Sequence, residues 1–125
     1  MKTNDLEERV INFTMFMIDT LKDVKKAYVS NYYGNKLLCS FGFPGFNYGE
    51  ARSVESYNDF IHKMGICLKE LRESYKWLKI MFKVNLYSGN KEKITKAIDE
   101  NNQLISIFVE SIKTSKNNNS KTVNR

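Results

Sequence analysis

Residues 56–86, SYNDFIHKMGICLKELRESYKWLKIMFKVNL, decide the fold. Phe60, Met64, Cys67, Leu71, Ser74, Leu78 and Met81 recur at steps of three and four, the spacing that gathers side chains on one face of an α-helix. Ile61, Leu68, Tyr75 and Phe82 run beside that seam at a strict repeat of seven. Ser56 and Asp59, three residues apart, form an N-terminal capping pair. The pattern predicts one long helix, about 45 Å at 1.5 Å per residue.

The same periodicity extends outward. Upstream, Leu6, Val10, Phe13, Met17, Leu21, Val24 and Tyr28 predict a helix over 5–30, with Asn4 and Glu7 as its capping box. Ile11 and Ile18 widen that stripe, as in a helix packed against two neighbours. Downstream, 86–91 reads as a turn, with Ser88-Gly89-Asn90 as breakers and Asn90 as a cap. Ile94, Ile98, Ile105, Phe108 and Ile112 then predict a helix over 91–114, with Ala97 and Leu104 alongside. Asn101 stands where an apolar residue is due, and one polar core residue can fix helix register at a cost in stability. Over 34–52, Leu37, Leu38 and Phe41 start a helical pattern that Gly42-Phe43-Pro44-Gly45 interrupts. Three regular helices and a kinked or broken second one predict an all-α, up-down antiparallel four-helix bundle over 1–114.

Composition bounds the function. The chain has 125 residues, one Pro and six Gly, which suits one domain with long helices. Its N-terminus, MKTNDLEERV, carries acids and no apolar segment, so it reads as neither a secretion signal nor a transit peptide. No run approaches the ~20 apolar residues of a membrane span. Cys39 and Cys67 lack a CxxC partner or a histidine at zinc-site spacing, and buried reduced thiols are the expected state. These features predict a cytoplasmic protein without a membrane association. The net charge is +6, and half of it lies in 115–125, SKNNNSKTVNR, an Asn- and Ser-rich basic segment expected to be disordered. Residues 63–96 concentrate the remainder, with nine bases against three acids.

One stretch is more specific. Asn47-Tyr48-Gly49-Glu50-Ala51 is followed by Ser56, then Asp59-Phe60-Ile61-His62-Lys63, Lys69-Glu70, Glu73 and Tyr75-Lys76-Trp77-Leu78. In order and spacing this resembles the proteins encoded by intervening sequences of bacterial 23S rRNA genes, over roughly residues 6–114. The resemblance implies a four-helix bundle, with 34–52 as its second helix, and a homo-oligomer, commonly a ring of five subunits. A similar fold serves as the accessory protein of diversity-generating retroelements, where it binds nucleic acid and a reverse transcriptase. The chain departs from the pattern before Asn47: Cys39 stands where the family carries an Arg, and Phe43-Pro44 is unusual.

Candidate chemistry is confined to charge and shape. Lys69, Arg72, Lys76, Lys79 and Lys83 share one helix face opposite the apolar seam. Such a row suits salt-sensitive, sequence-tolerant capture of RNA or DNA backbone. It equally suits a solvated face. Tyr75 falls with the core stripe, which leaves Trp77 as the candidate stacking surface. Glu70 and Glu73 lack the Glu-x-x-His pairs of di-metal bundles, and His62 lies eight residues before Glu70, so no metal site or cofactor is expected. His62 has no partner nucleophile, reads as a surface residue, and gives no catalytic site. A protein-interaction scaffold is the competing reading, resting on Phe41, Phe43, Phe46, Tyr48 and Trp77.

Asn47, Glu50, Lys63, Glu70 and Glu73 suit a structural polar network between the second and third predicted helices. Glu50→Ala is therefore expected to lower the melting temperature in a thermal circular-dichroism scan. An unchanged melting temperature with altered ligand binding would place Glu50 in a binding site instead.

Overall fold

A computed structural model describes residues 3–23, 56–84, 87 and 89–123. Among them are three helices and no strand: α1 (Thr3–Leu21), α2 (Tyr57–Lys83) and α3 (Lys91–Val123). The predicted second helix, with Cys39 and Pro44, lies outside the described residues.

Helix ends follow local chemistry. Ser56 sits in extended backbone before α2, and its Oγ accepts the Asp59 N–H at 3.2 Å. That bond satisfies one of the donors a helix start leaves over. Asn90 does the same for α3, its Oδ1 accepting the Glu92 N–H at 2.9 Å. Both caps lie where the sequence predicts them. α1 begins at Thr3, ahead of the expected Asn4 cap, and ends at Leu21; residues 24–30 of the predicted helix lie outside the described residues. Its last turn tightens through Lys22 N–H to Asp19 O and Asp23 N–H to Thr20 O, at 3.3 and 3.2 Å. α3 runs to Val123, beyond the predicted helix end at 114. The stretch after Ile112 is almost wholly polar. It extends a helix already nucleated by its packed half, where each added residue costs little.

Apolar spacing sets the core. Leu6, Val10, Phe13 and Met17 of α1 are buried together with Met64, Cys67, Leu71, Leu78 and Met81 of α2. Ile94, Ala97, Leu104 and Phe108 of α3 and the loop residue Tyr87 complete the cluster. Fully burying one large apolar side chain contributes about 1.5–3 kcal/mol. α3 is the element against which both other helices pack. Arg9 meets Glu100 and Gln103 while Asp19 meets Lys93, so α1 runs antiparallel to α3. α2 joins α3 through a short connection, and Ser74 pairs with Asn101, which makes this pair antiparallel as well.

The Ser74–Asn101 contact is wholly buried. The Ser74 hydroxyl lies 2.7 Å from Asn101 Oδ1, with the Glu70 and Leu71 carbonyls as further acceptors at 3.2 and 3.0 Å. Asn101 Nδ2 donates to the Leu71 carbonyl at 2.8 Å. No buried side-chain polar atom among the described residues lacks a partner.

A second lock closes the end near the α2–α3 connection. Lys93 Nζ lies 2.5 Å from Asp19 and 3.7 Å from Asp23, and Tyr87 donates its hydroxyl to Asp23 at 3.3 Å. The hydrogen bond and charge of Lys93 hold the Asp19 carboxyl below its ordinary pKa, and the Asp19 hydrogen bond raises the Lys93 ammonium. Burial, then the charge of Asp23, pushes the Tyr87 phenol up. Gly89 packs so closely here that an added Cβ would fall 2.7 Å from the Asp23 side chain.

Two outcomes are expected. Asn101→Ala strands buried polar groups and should cost about 2–3 kcal/mol in urea unfolding, whereas Ser74→Ala with Asn101→Leu should recover most of that loss. Gly89→Ala overpacks the Asp23 contact and should cost about 1–3 kcal/mol, read as a lowered melting temperature.

Candidate functional site

The outer face of α2 is built by the same periodicity that builds its core. At 3.6 residues per turn, Lys69, Arg72, Lys76, Lys79 and Lys83 fall within a sector of about 80°, along roughly 21 Å of helix. Lys69, Arg72, Lys76 and Lys83 are exposed and Lys79 is half-exposed. The buried residues Met64, Cys67, Leu71, Ser74, Leu78 and Met81 lie on the far side of the same helix.

Pairing differs across the surface: among the described residues, Lys91, Lys96, Lys113 and Lys116 of α3 enter no ion pair, whereas three other cations do. Arg9 is held by Glu100 and Gln103, Lys93 by Asp19 and Asp23, and Lys22 by Asp19. Among the described residues, none of the five α2 cations enters an ion pair. Glu73 is exposed on the neighbouring flank, and Glu70 is half-buried beyond it.

Aromatic rings border the row. Lys79 Nζ sits 5.3 Å from the centre of the Tyr75 ring. Two turns on, Phe82 is 41% exposed, and Lys91 of α3 brings its Nζ 5.8 Å from that ring. The sequence reading placed Phe82 in a core stripe and made Trp77 the stacking candidate. The structure reverses these roles: Trp77 is half-buried and packs against the core, about 120° around the helix from the cationic row. Lys91 was missed because it belongs to another helix and reaches the row only through the α2–α3 packing.

The predicted polar network is only partly within view. Lys63 and Glu70 lie seven residues apart on one edge of α2, half-buried, and both have partners. Glu73 is exposed and off that line. Asn47 and Glu50 lie outside the described residues, as do Phe41, Phe43, Phe46 and Tyr48. His62 is exposed and Cys67 is fully buried. Among the described residues no three His, Cys, Asp or Glu converge as a metal site would require, and no helix is long and apolar enough to cross a membrane.

Two other surfaces stand out. A groove of about 420 Å³ between α1 and α3 is lined by Arg9, Asn12, Phe13, Phe16, Lys96, Asp99 and Glu100. Glu100 already neutralises its arginine, with Arg9 Nε donating at 2.7 Å. On α1, Ile11, Met15 and Ile18 are 40%, 62% and 48% exposed, on the side away from the core. Among the described residues no second neighbour of α1 covers them.

Among the described residues, fold and surface define an all-helical arrangement with a row of five cations along α2 that enter no ion pair. A protein of unknown function from the S23 ribosomal protein family of Bacteroides thetaiotaomicron has a similar crystal structure, with a TM-score of 0.79 and 23% sequence identity. The match covers 90% of this chain and 99% of that one, and it shows a shared fold. That family is close to the 23S rRNA intervening-sequence proteins. No family model matches the chain, and neither does any curated protein.

Proposed function

We propose that this chain is a non-catalytic, oligomeric, cytoplasmic four-helix-bundle protein of the 23S rRNA intervening-sequence family. It binds RNA or DNA backbone through Lys69, Arg72, Lys76, Lys79 and Lys83. The observation that carries the reading is the alignment: five cations that enter no ion pair among the described residues share one face of α2. A row of unmatched cations on a rigid helix is suited to displacing counterions from a phosphate backbone.

Helix direction supports the four-helix plan. α1 and α2 both oppose α3, so they run parallel to each other. That is the relation between the first and third helices of an up-down four-helix bundle. The fold of the S23-family neighbour and the motif of 47–78 support the family assignment.

A second reading has its own observation. The exposed row Ile11, Met15 and Ile18 suits contact with another protein, either a further copy of this chain in a ring or a partner such as a reverse transcriptase. In that reading the protein is a scaffold or accessory subunit and has no need of the lysines.

Charge reversal separates the two. Lys76→Glu with Lys79→Glu should weaken binding to labelled RNA and DNA at least tenfold in fluorescence anisotropy, and should flatten the salt dependence by about two in log–log slope. Unchanged binding by the folded double variant would remove the basic-face reading and leave the scaffold.

A further inference from the structure

We propose that the outer face of α2 selects single-stranded over double-stranded nucleic acid, with Tyr75 and Phe82 as its base-stacking platforms. The proposal rests on the basic-face reading and names the substrate class of that same face.

The argument starts from spacing. Tyr75 and Phe82 are seven residues apart, which places them on one line of α2 about 10.5 Å apart. The line borders the cationic row, so each ring lies beside phosphate-binding positions. Each ring also has its own cation, Lys79 at 5.3 Å from Tyr75 and Lys91 at 5.8 Å from Phe82. The structure therefore repeats a unit of one ring and one ammonium along the helix.

A nucleotide carries the matching pair, a flat base and a phosphate. Exposed cation–π contacts are weak enough to yield to a base. As a base takes the ring, the displaced ammonium remains within reach of that nucleotide's phosphate. Base–aromatic stacking tolerates any sequence because every base has a π-face.

Duplex offers no such fit. Its base faces are already covered by their neighbours, at a rise of about 3.4 Å per strand. Rings some 10.5 Å apart on a convex helix can engage two bases only if the strand between them is unstacked. A duplex would touch the lysines alone.

The test compares one labelled oligonucleotide as a single strand and as its duplex, in RNA and DNA forms, at matched salt. Full-length wild type, Phe82→Leu, Tyr75→Leu and Lys76→Glu/Lys79→Glu are titrated in parallel, with thermal unfolding as the check on folding. The leucines keep apolar bulk and remove the ring. Phe82, the more exposed, keeps the test open if Tyr75→Leu unfolds. Wild type should hold the single strand more tightly than the duplex. Phe82→Leu should lose about fivefold or more for the single strand, the low end of one stacked base, and stay within about twofold for duplex. Equal affinity for both forms, or ring variants that bind single strands as wild type does while charge reversal still abolishes binding, would overturn the platform and leave the basic face standing. No binding by wild type at low salt would remove both.

Discussion

The buried contact between Ser74 and Asn101 is the constraint on which the rest of the arrangement depends. Apolar side chains alone would let α3 slide along α2, because one aliphatic layer replaces another at modest cost. A buried amide does not slide. Asn101 donates to the Leu71 carbonyl and lies 2.7 Å from the Ser74 hydroxyl, and any shift of a turn would strand all three groups in a dry core. Register fixed here is carried down the antiparallel pair to its far end, where it decides which residue of α3 meets Phe82. Lys91 reaches that ring because Asn101 is where it is.

The other edge of α3 is held differently. Arg9 with Glu100 and Lys93 with Asp19 join α1 to α3 at two levels, one near each end of α1. Exposed pairs of this kind add little stability, but they set orientation. The asymmetry follows from composition. Asp19, Asp23 and Glu100 face Arg9 and Lys93, whereas the outer side of α2 has no facing helix among the described residues to supply acids. An unmatched positive row is what remains on a helix with one partnered edge and one solvent face, and the field of that row is what a phosphate backbone would meet first.

Much of this was readable in the chain. Ser56 and Asn90 announce helix starts because a cap is a local event, completed within three residues. The buried positions of α2 follow from spacing for the same reason. Asn101 is legible as a polar interruption, although its partner is not, since Ser74 passes for a small core residue until the two helices are brought together. The failures share one physical cause. A repeat of seven places Phe82 beside the seam but cannot say whether anything packs over the ring, which is 41% exposed. Ile11 and Ile18 predict a second neighbour by the same logic, yet are 40% and 48% exposed, with no such neighbour among the described residues. Periodicity reports which side of a helix is apolar. It does not report whether anything lies opposite.

Function is less legible than fold for a related reason. Catalytic and metal sites need several residue types at fixed mutual positions, and such sets leave a signature in sequence. A surface that grips phosphate needs only like charges on one side of a rod, and an ordinary solvated helix has the same pattern. What distinguishes the two is which rings and charges the neighbouring helices bring to the row, and that depends on packing and not on the sequence of α2. The same holds for stacking. Trp77 is the obvious ring by residue type, yet it packs against the core, while Phe82 is 41% exposed. The chemistry of this face is set by which rings the packing leaves open as much as by which residues the helix carries.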